Sequence, residues 1–426
     1  MSRSQLPDAL PELVREGLIS AEQAERIRAR YPVEPKEQSS RMLLVFAILG
    51  SLLVGLGIIL IIAHNWDDLP RAARVALAFV PILLGQVLVF VAIRKQAGNA
   101  AWREGSALIL ACGLCACIAL ISQIYHISGS LEGYLLMCSF LILPLLYIPG
   151  SITVALGYLA MVSWYGWAVR FEHFGNTDRP WMLLLLLAAA VPFYFLEARR
   201  NGTGTGFWWL SLFMALTVGC CGMYFYTDWG RYHVLGITGL AAAFTLVPWT
   251  HRGLELRTWP WALIGGSTML GVFAVYSFRP MWEDQFFRND QQHQDWPAVM
   301  FLLSIGIAAY VLSLRVRKPL ERWPYPEGLW LFLACFAVGS VSPTAAAIVV
   351  NLTLLLMGVV TVRRGIEADS LKRLNLGLTI IGITVLMRFF DADLSFVMRG
   401  LVFIALGCAF LFMNMRMLRQ RNKDVP

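Results

Sequence analysis

The chain has 426 residues, of which 58% are hydrophobic and only 15% charged, with a formal net charge of +8 at neutral pH. A water-solvated protein carries charge on nearer a quarter of its residues, so this balance excludes an ordinary soluble fold and points to a chain solvated by lipid. All eight cysteines fall inside apolar blocks, which leaves no disulfide framework in the hydrophilic segments.

The first 41 residues are hydrophilic and read as a cytosolic helical hairpin. One helix stops at Gly17, a typical C-terminal glycine. The next starts at Ser20, whose hydroxyl is placed to cap Gln23 in a Ser-x-x-Gln box. Leu10, Leu13, Leu18, Ile19 and Ile27 supply the apolar contacts of a piece too small to bury its own core. No apolar stretch before residue 42 is followed by a small-residue cleavage site, so 42–63 is expected to be an uncleaved first span.

A span needs about 20 apolar residues to cross a hydrocarbon core of roughly 30 Å. That ruler predicts spans near 42–63, 72–93, 105–125, 131–148, 151–169, 180–197 and 207–226, then 232–250, 259–278 and 296–314. Four more are expected near 327–341, 343–362, 371–389 and 397–415. Residues 131–169 are divided at Pro149-Gly150, and 327–362 at Ser342-Pro343, where proline disfavours helix in the residue before it. The fold class is therefore all-α and polytopic. About fourteen transmembrane helices fill residues 42–415, and a basic cytosolic tail occupies 416–426.

With the N-terminus placed inside, roughly three quarters of the 35 Lys and Arg residues fall on the cytoplasmic side. The bias runs from Arg94, Lys95 and Arg103 through Arg363, Arg364, Lys372 and Arg373 to Arg416, Arg419, Arg421 and Lys423. The expected location is a bacterial inner membrane, with multiple passes and both termini cytoplasmic. The basic pI near 9.2 then reflects topology, and the bilayer rather than nucleic acid is the expected partner.

Three stretches resemble a known family. They are the opening Leu13-Val14-Arg15-Glu16-Gly17-Leu18-Ile19-Ser20, the glycine-rich first span from Leu49-Gly50 into Ala63-His64-Asn65-Trp66-Asp67, and Gln123-Ile124-Tyr125-His126-Ile127-Ser128-Gly129. Together they resemble the bacterial membrane family "domain of unknown function 2157", best over about the first 150 residues and more loosely at Arg388-Phe389-Phe390-Asp391 and Arg399-Gly400-Leu401. The resemblance implies a multi-span inner-membrane protein and supplies no activity, cofactor or catalytic residue. It also implies a small membrane-anchored companion as one partner, beside a second copy of the chain.

Polar side chains at membrane depth are costly, so each is a candidate for function. One cluster gathers at the expected outer helix ends. It comprises His64, Asn65, Asp67 and Asp68; Gln123, Tyr125, His126 and Glu132; and Arg388, Asp391, Asp393 and Arg399. Converged, these groups would relay protons, bind a cation or grip a phosphate-bearing head group. Scattered, they are helix caps, interfacial anchors and snorkelling arginines. Asn351, expected near mid-membrane, is a second candidate, because the preceding span is short and interrupted by Ser340, Ser342, Pro343 and Thr344. An interhelical hydrogen bond is its plainer role. The loop Arg279–Asp295 reads as an amphipathic lid on the outer surface or as a solvated loop with aromatic anchors. Cys112-x-x-Cys115-x-Cys117 lacks the ligands to complete a metal site, and no cofactor is expected.

No Gly-x-x-x-x-Gly-Lys-Ser/Thr loop, His-Glu-x-x-His or Gly-x-Ser-x-Gly occurs, which excludes primary active transport by this chain alone. Three functions stay open: a transporter or flippase for a small solute or lipid-linked substrate, a non-catalytic scaffold or sensor using the N-terminal hairpin, and an outer-face transferase. The balance leans away from an enzyme.

Overall fold

The computed structural model describes residues 68–95, 99–148, 150–172, 179–225, 232–250, 259–284, 296–314 and 327–391, with Val14, Gly17, Ser20, 22–24, Arg26, Trp66, Phe286, Ile404, Gly407 and Cys408 as further positions. Its described residues are all helical or in turns. The helices are α1 (Arg71–Lys95), α2 (Ala100–Tyr125), α3 (Leu131–Tyr147), α4 (Ile152–Phe171), α5 (Trp181–Asn201), α6 (Thr205–Tyr224) and α7 (His233–Thr250). They continue as α8 (Trp259–Val275), the short α9 (Arg279–Glu283), α10 (Trp296–Leu314), α11 (Gly328–Gly339), α12 (Pro343–Glu367) and α13 (Leu371–Asp391).

Apart from α9, each helix falls on an expected span between residues 72 and 389. The expected spans 42–63 and 397–415 lie outside the described residues, save for Ile404, Gly407 and Cys408. Six helices, α1, α2, α4, α5, α6 and α12, are long and apolar enough to cross a membrane, and five shorter apolar segments lie in α3, α7, α8, α10 and α11. Both soft boundaries are helix breaks with a serine at the new N-cap. Ser151 caps α4 through the Val154 amide, and Ser342 caps α12 through Ala345, with Pro343 in the first turn where its missing N–H has no consequence.

The chain divides into two compact units, Met1–Leu77 and Ala78–Pro426. In the first unit the capping box is formed in both directions: the Gln23 amide donates to Ser20 Oγ at 3.2 Å, and the Ser20 amide donates to Gln23 Oε1 at 2.9 Å. Gly17 takes the left-handed φ of +71° expected of a helix stop. The rest of the expected hairpin lies outside the described residues. Near the start of α1, Arg74 donates to the Leu69 carbonyl at 2.9 Å and lies over the Trp66 ring.

The second unit holds two large apolar cores. The first is built by α2 to α6 with Val89 of α1, around Tyr158, Phe193 and Phe207. Tyr158 and Tyr147 each donate from one helix to a carbonyl of α5 (Leu186 and Ala189), the kind of tie that membrane helices use once the solvent is as apolar as the side chains. The second core is built by α7 to α12, around Trp282, Phe273 and Phe332. A smaller cluster of Val362, Leu374 and Leu378 joins α12 to α13. α7 and α10 cross at Gly239 and Gly306: a Cβ on Gly239 would sit 2.6 Å from the Leu302 carbonyl oxygen, so backbone meets backbone there.

Candidate functional site

Of the loop Arg279–Asp295, which reads as a lid or as a solvated loop with aromatic anchors, residues 279–284 and Phe286 are described. The chain turns at Ser277 and enters α9, and Trp282 swings into the second core, where it is 0% exposed. Its indole N–H donates to the Tyr276 carbonyl at 2.7 Å, which satisfies the polar edge of an otherwise apolar ring. Phe286 stacks on it at an interplanar angle of 4°, and Phe332 and Phe336 of α11 close around it. Gly339 makes room: a Cβ there would lie 2.5 Å from Trp282 Cζ3. Trp282 buries where the short α11, ending in Gly339, leaves space for it.

Beside this plug, two candidates meet. Asn351 Nδ2 donates to the Ser277 carbonyl at 3.0 Å and to the Ala347 carbonyl of its own helix at 2.7 Å. Arg388 Nη2 donates to Ser277 Oγ at 3.2 Å, and its guanidinium lies 4.4 Å from the Phe278 ring centroid, a cation–π distance. Ser277 is fully buried and donates its own hydroxyl to the Ala274 carbonyl. The node therefore ties the last turn of α8 to α12 and α13. Asn351 is the ninth residue of α12, roughly 12 Å along it at 1.5 Å per residue, and it reaches the turn that follows α8. Its Oδ1 is buried with no hydrogen-bond partner. The donors of Asn351 and Arg388 thus converge on Ser277, with a buried amide oxygen left able to accept a further hydrogen bond.

The other described candidates lie at helix ends. Gln123, Tyr125 and His126 are exposed at the end of α2, where His126 takes a left-handed φ of 53° and its amide closes the helix on Gln123 and Ser122. Histidine tolerates that conformation better than most side chains, and here it is a helix C-cap. Glu132 lies in the first turn of α3, an end that favours an acid. Asp68 is exposed before α1, and Asp391 is the last residue of α13. His64, Asn65, Asp67, Asp393 and Arg399 lie outside the described residues. Among the described residues, no three of His, Cys, Asp and Glu gather as metal ligands.

A further polar cluster has no counterpart in the sequence reading. It lies at the opposite end of α2. Glu104 of α2 reaches the N-terminus of α4, where it accepts from Ser151 Oγ at 2.5 Å, the Thr153 amide at 2.9 Å and the Ile152 amide at 3.2 Å. A carboxylate there answers both the unpaired first-turn amides and the positive end of the helix dipole. Arg103 pairs with Glu104 at 3.5 Å, and Glu197 of α5, only 7% exposed, lies within electrostatic reach of Arg103, Arg200 and Glu104. Glu104 and Ser151 are 47 residues apart, so only the antiparallel course of α2, α3 and α4 brings them together.

Comparison with known proteins agrees with this architecture. Residues 11–155 match the family model described as "Predicted membrane protein (DUF2157)". This is a membrane protein. The match covers the segment where the sequence resemblance to that family is best, and the helices that follow carry the same apolar character. No curated protein and no solved structure matches the chain.

Proposed function

We propose that the chain is a transporter or flippase of the bacterial inner membrane, held here with its outer side closed. In this reading it crosses about fourteen times with both termini in the cytoplasm, and handles a small solute or lipid-linked substrate bearing an anionic group. The observation that carries the reading is the broken region around the Trp282 plug. α11 has 12 residues, roughly 18 Å at 1.5 Å per residue, well short of a core of roughly 30 Å. Shortened helices beside buried polar groups are where transporters build their sites. Arg388, Ser277 and Asn351 supply such groups, and in this reading the stacked Trp282 and Phe286 are the plug that closes them off.

The test is reconstitution of the full chain in liposomes containing a fluorescent anionic phospholipid, with bleaching of the outer leaflet by a membrane-impermeant reductant. Exchange between leaflets above that of empty liposomes, faster in Trp282→Ala and slower in Arg388→Ala, supports the reading. No exchange in any of the three, with folded protein recovered, removes the lipid-linked branch. Uptake of radiolabelled small anions by the same vesicles then decides the solute branch.

A second reading is a scaffold or sensor, with a small membrane-anchored protein or a second copy as partner. It is favoured by the completeness of packing where Trp282, Phe332, Val350 and Met357 are all fully buried. Deleting residues 1–38 separates the two: a scaffold loses its partner, whereas a transporter keeps its flux.

A further inference from the structure

A groove of about 360 Å³ runs between α1 and α2, lined by Leu88 on one side and by Ala101, Trp102, Gly105, Ser106 and Ile109 on the other. The two helices are antiparallel and touch closely further along, where Gly85 meets Leu110 and Gly113 meets Pro81. Towards the Lys95 end space stays open between them, because Gly105 brings no side chain into it: a Cβ there would meet nothing within 4 Å. The groove is apolar along its length and changes character at one end. Lys95 follows Leu88 by seven residues, two turns on the same stripe of α1, roughly 10 Å away at 1.5 Å per residue. Its side chain is exposed. Trp102, 42% exposed, stands at the same end as an interfacial aromatic, while Arg94 lies over the Phe90 ring.

We propose that this groove is a binding site for an anionic phospholipid, with one acyl chain along Leu88, Gly105 and Ile109 and the head-group phosphate on the Lys95 ammonium. The occupant follows from complementarity. An apolar trough that ends in a cation and an indole at the edge of a membrane helix pair matches a chain, a glycerol backbone and a phosphate in that order. Basic pockets between membrane helices recognise anionic head groups in this way. A zwitterionic lipid gains less, because its own ammonium opposes Lys95. Of the other described cations near this end, Arg94 lies over the Phe90 ring and Arg103 is engaged by Glu104.

The experiment is a thermal-unfolding titration of the full chain in detergent with phosphatidylglycerol, with phosphatidylcholine of the same acyl chains, and with glycerol 3-phosphate. Phosphatidylglycerol is expected to raise the unfolding midpoint by several degrees more than phosphatidylcholine, and glycerol 3-phosphate to leave it unchanged. Gly105→Trp places an indole in the trough from a position where a Cβ meets nothing within 4 Å, and Lys95→Gln removes the charge. Each is expected to raise the half-saturating phosphatidylglycerol concentration at least fivefold, with the lipid-free midpoint unchanged. Equal effects of the two phospholipids overturn the proposal. So does a full response to glycerol 3-phosphate, which would mark a simple anion site. Should Gly105→Trp melt lower without lipid, Lys95→Gln decides alone, and wild-type affinity in that variant overturns the proposal.

Discussion

At the scale of single residues, the groups that matter are polar side chains given a fixed task by a helix end. Asn351 offers its amide N–H to the Ser277 carbonyl, an acceptor at the end of α8 that lipid cannot satisfy. Asn351→Leu should lower the unfolding midpoint in detergent by an amount corresponding to roughly 1–2 kcal/mol, the range found for interhelical hydrogen bonds in membranes. An unchanged midpoint would mean that the Ser277 carbonyl finds another donor. Glu104 has a larger task, since three donors converge on one carboxylate. Glu104→Ala should cost about 1–3 kcal/mol, and Ser151→Ala, which removes the α4 cap, about 1 kcal/mol. Because the two side chains are bonded to each other, the double variant should cost less than the sum, and strict additivity would argue against a shared network. Asn351 is visible in the sequence as a lone amide in an apolar run, and Arg388 as a cation near a helix exit. That both address Ser277 is not visible, because serine is common in membrane helices and 74 residues separate Ser277 from Asn351.

At the scale of elements, lengths and breaks are legible from composition, because each span must reach across a fixed thickness and each break is marked by a proline or a cap. The divisions at Pro149-Gly150 and Ser342-Pro343 fall between separate helices for that reason. The loop after α8 is where this logic fails. Its aromatics and charges read as a surface lid or as a solvated loop with aromatic anchors, yet Trp282 is buried, because the space for it is left by Gly339 and by the shortness of α11, on a different part of the chain. Gly339→Leu should therefore expel Trp282 or unfold the region, seen as a red-shifted tryptophan emission relative to the wild type. Gly306→Leu should act without that signature: it drives α7 and α10 apart at a backbone contact and is expected to abolish recovery of folded protein after detergent extraction.

At the scale of the whole molecule, class follows from apolar run length and the proposed sidedness rests on the position of Lys and Arg, two quantities that accumulate along the chain. Function does not accumulate in this way; it depends on which helix ends meet, which a list of polar residues at expected ends does not say. Gln123, Tyr125 and His126 lie on the end of a helix of the first core, whereas Arg388 and Asn351 pack beside the second. Fusion of a reporter active only in the periplasm to residue 426 should give no signal, and the same reporter placed in the 173–178 segment should give one. The reverse pattern would invert the proposed orientation and with it the outer placement of the Trp282 plug.

The account turns on whether the polar node under Trp282 opens to the outside. The most direct measurement is the rate at which a membrane-impermeant thiol reagent modifies Ser277→Cys in intact cells, in a chain whose native cysteines are replaced. A gated pathway predicts slow but measurable labelling, at least tenfold faster once Trp282→Ala removes the plug. No labelling in either background, with both proteins folded and in the membrane, would contradict it and leave a solid bundle suited to a scaffold.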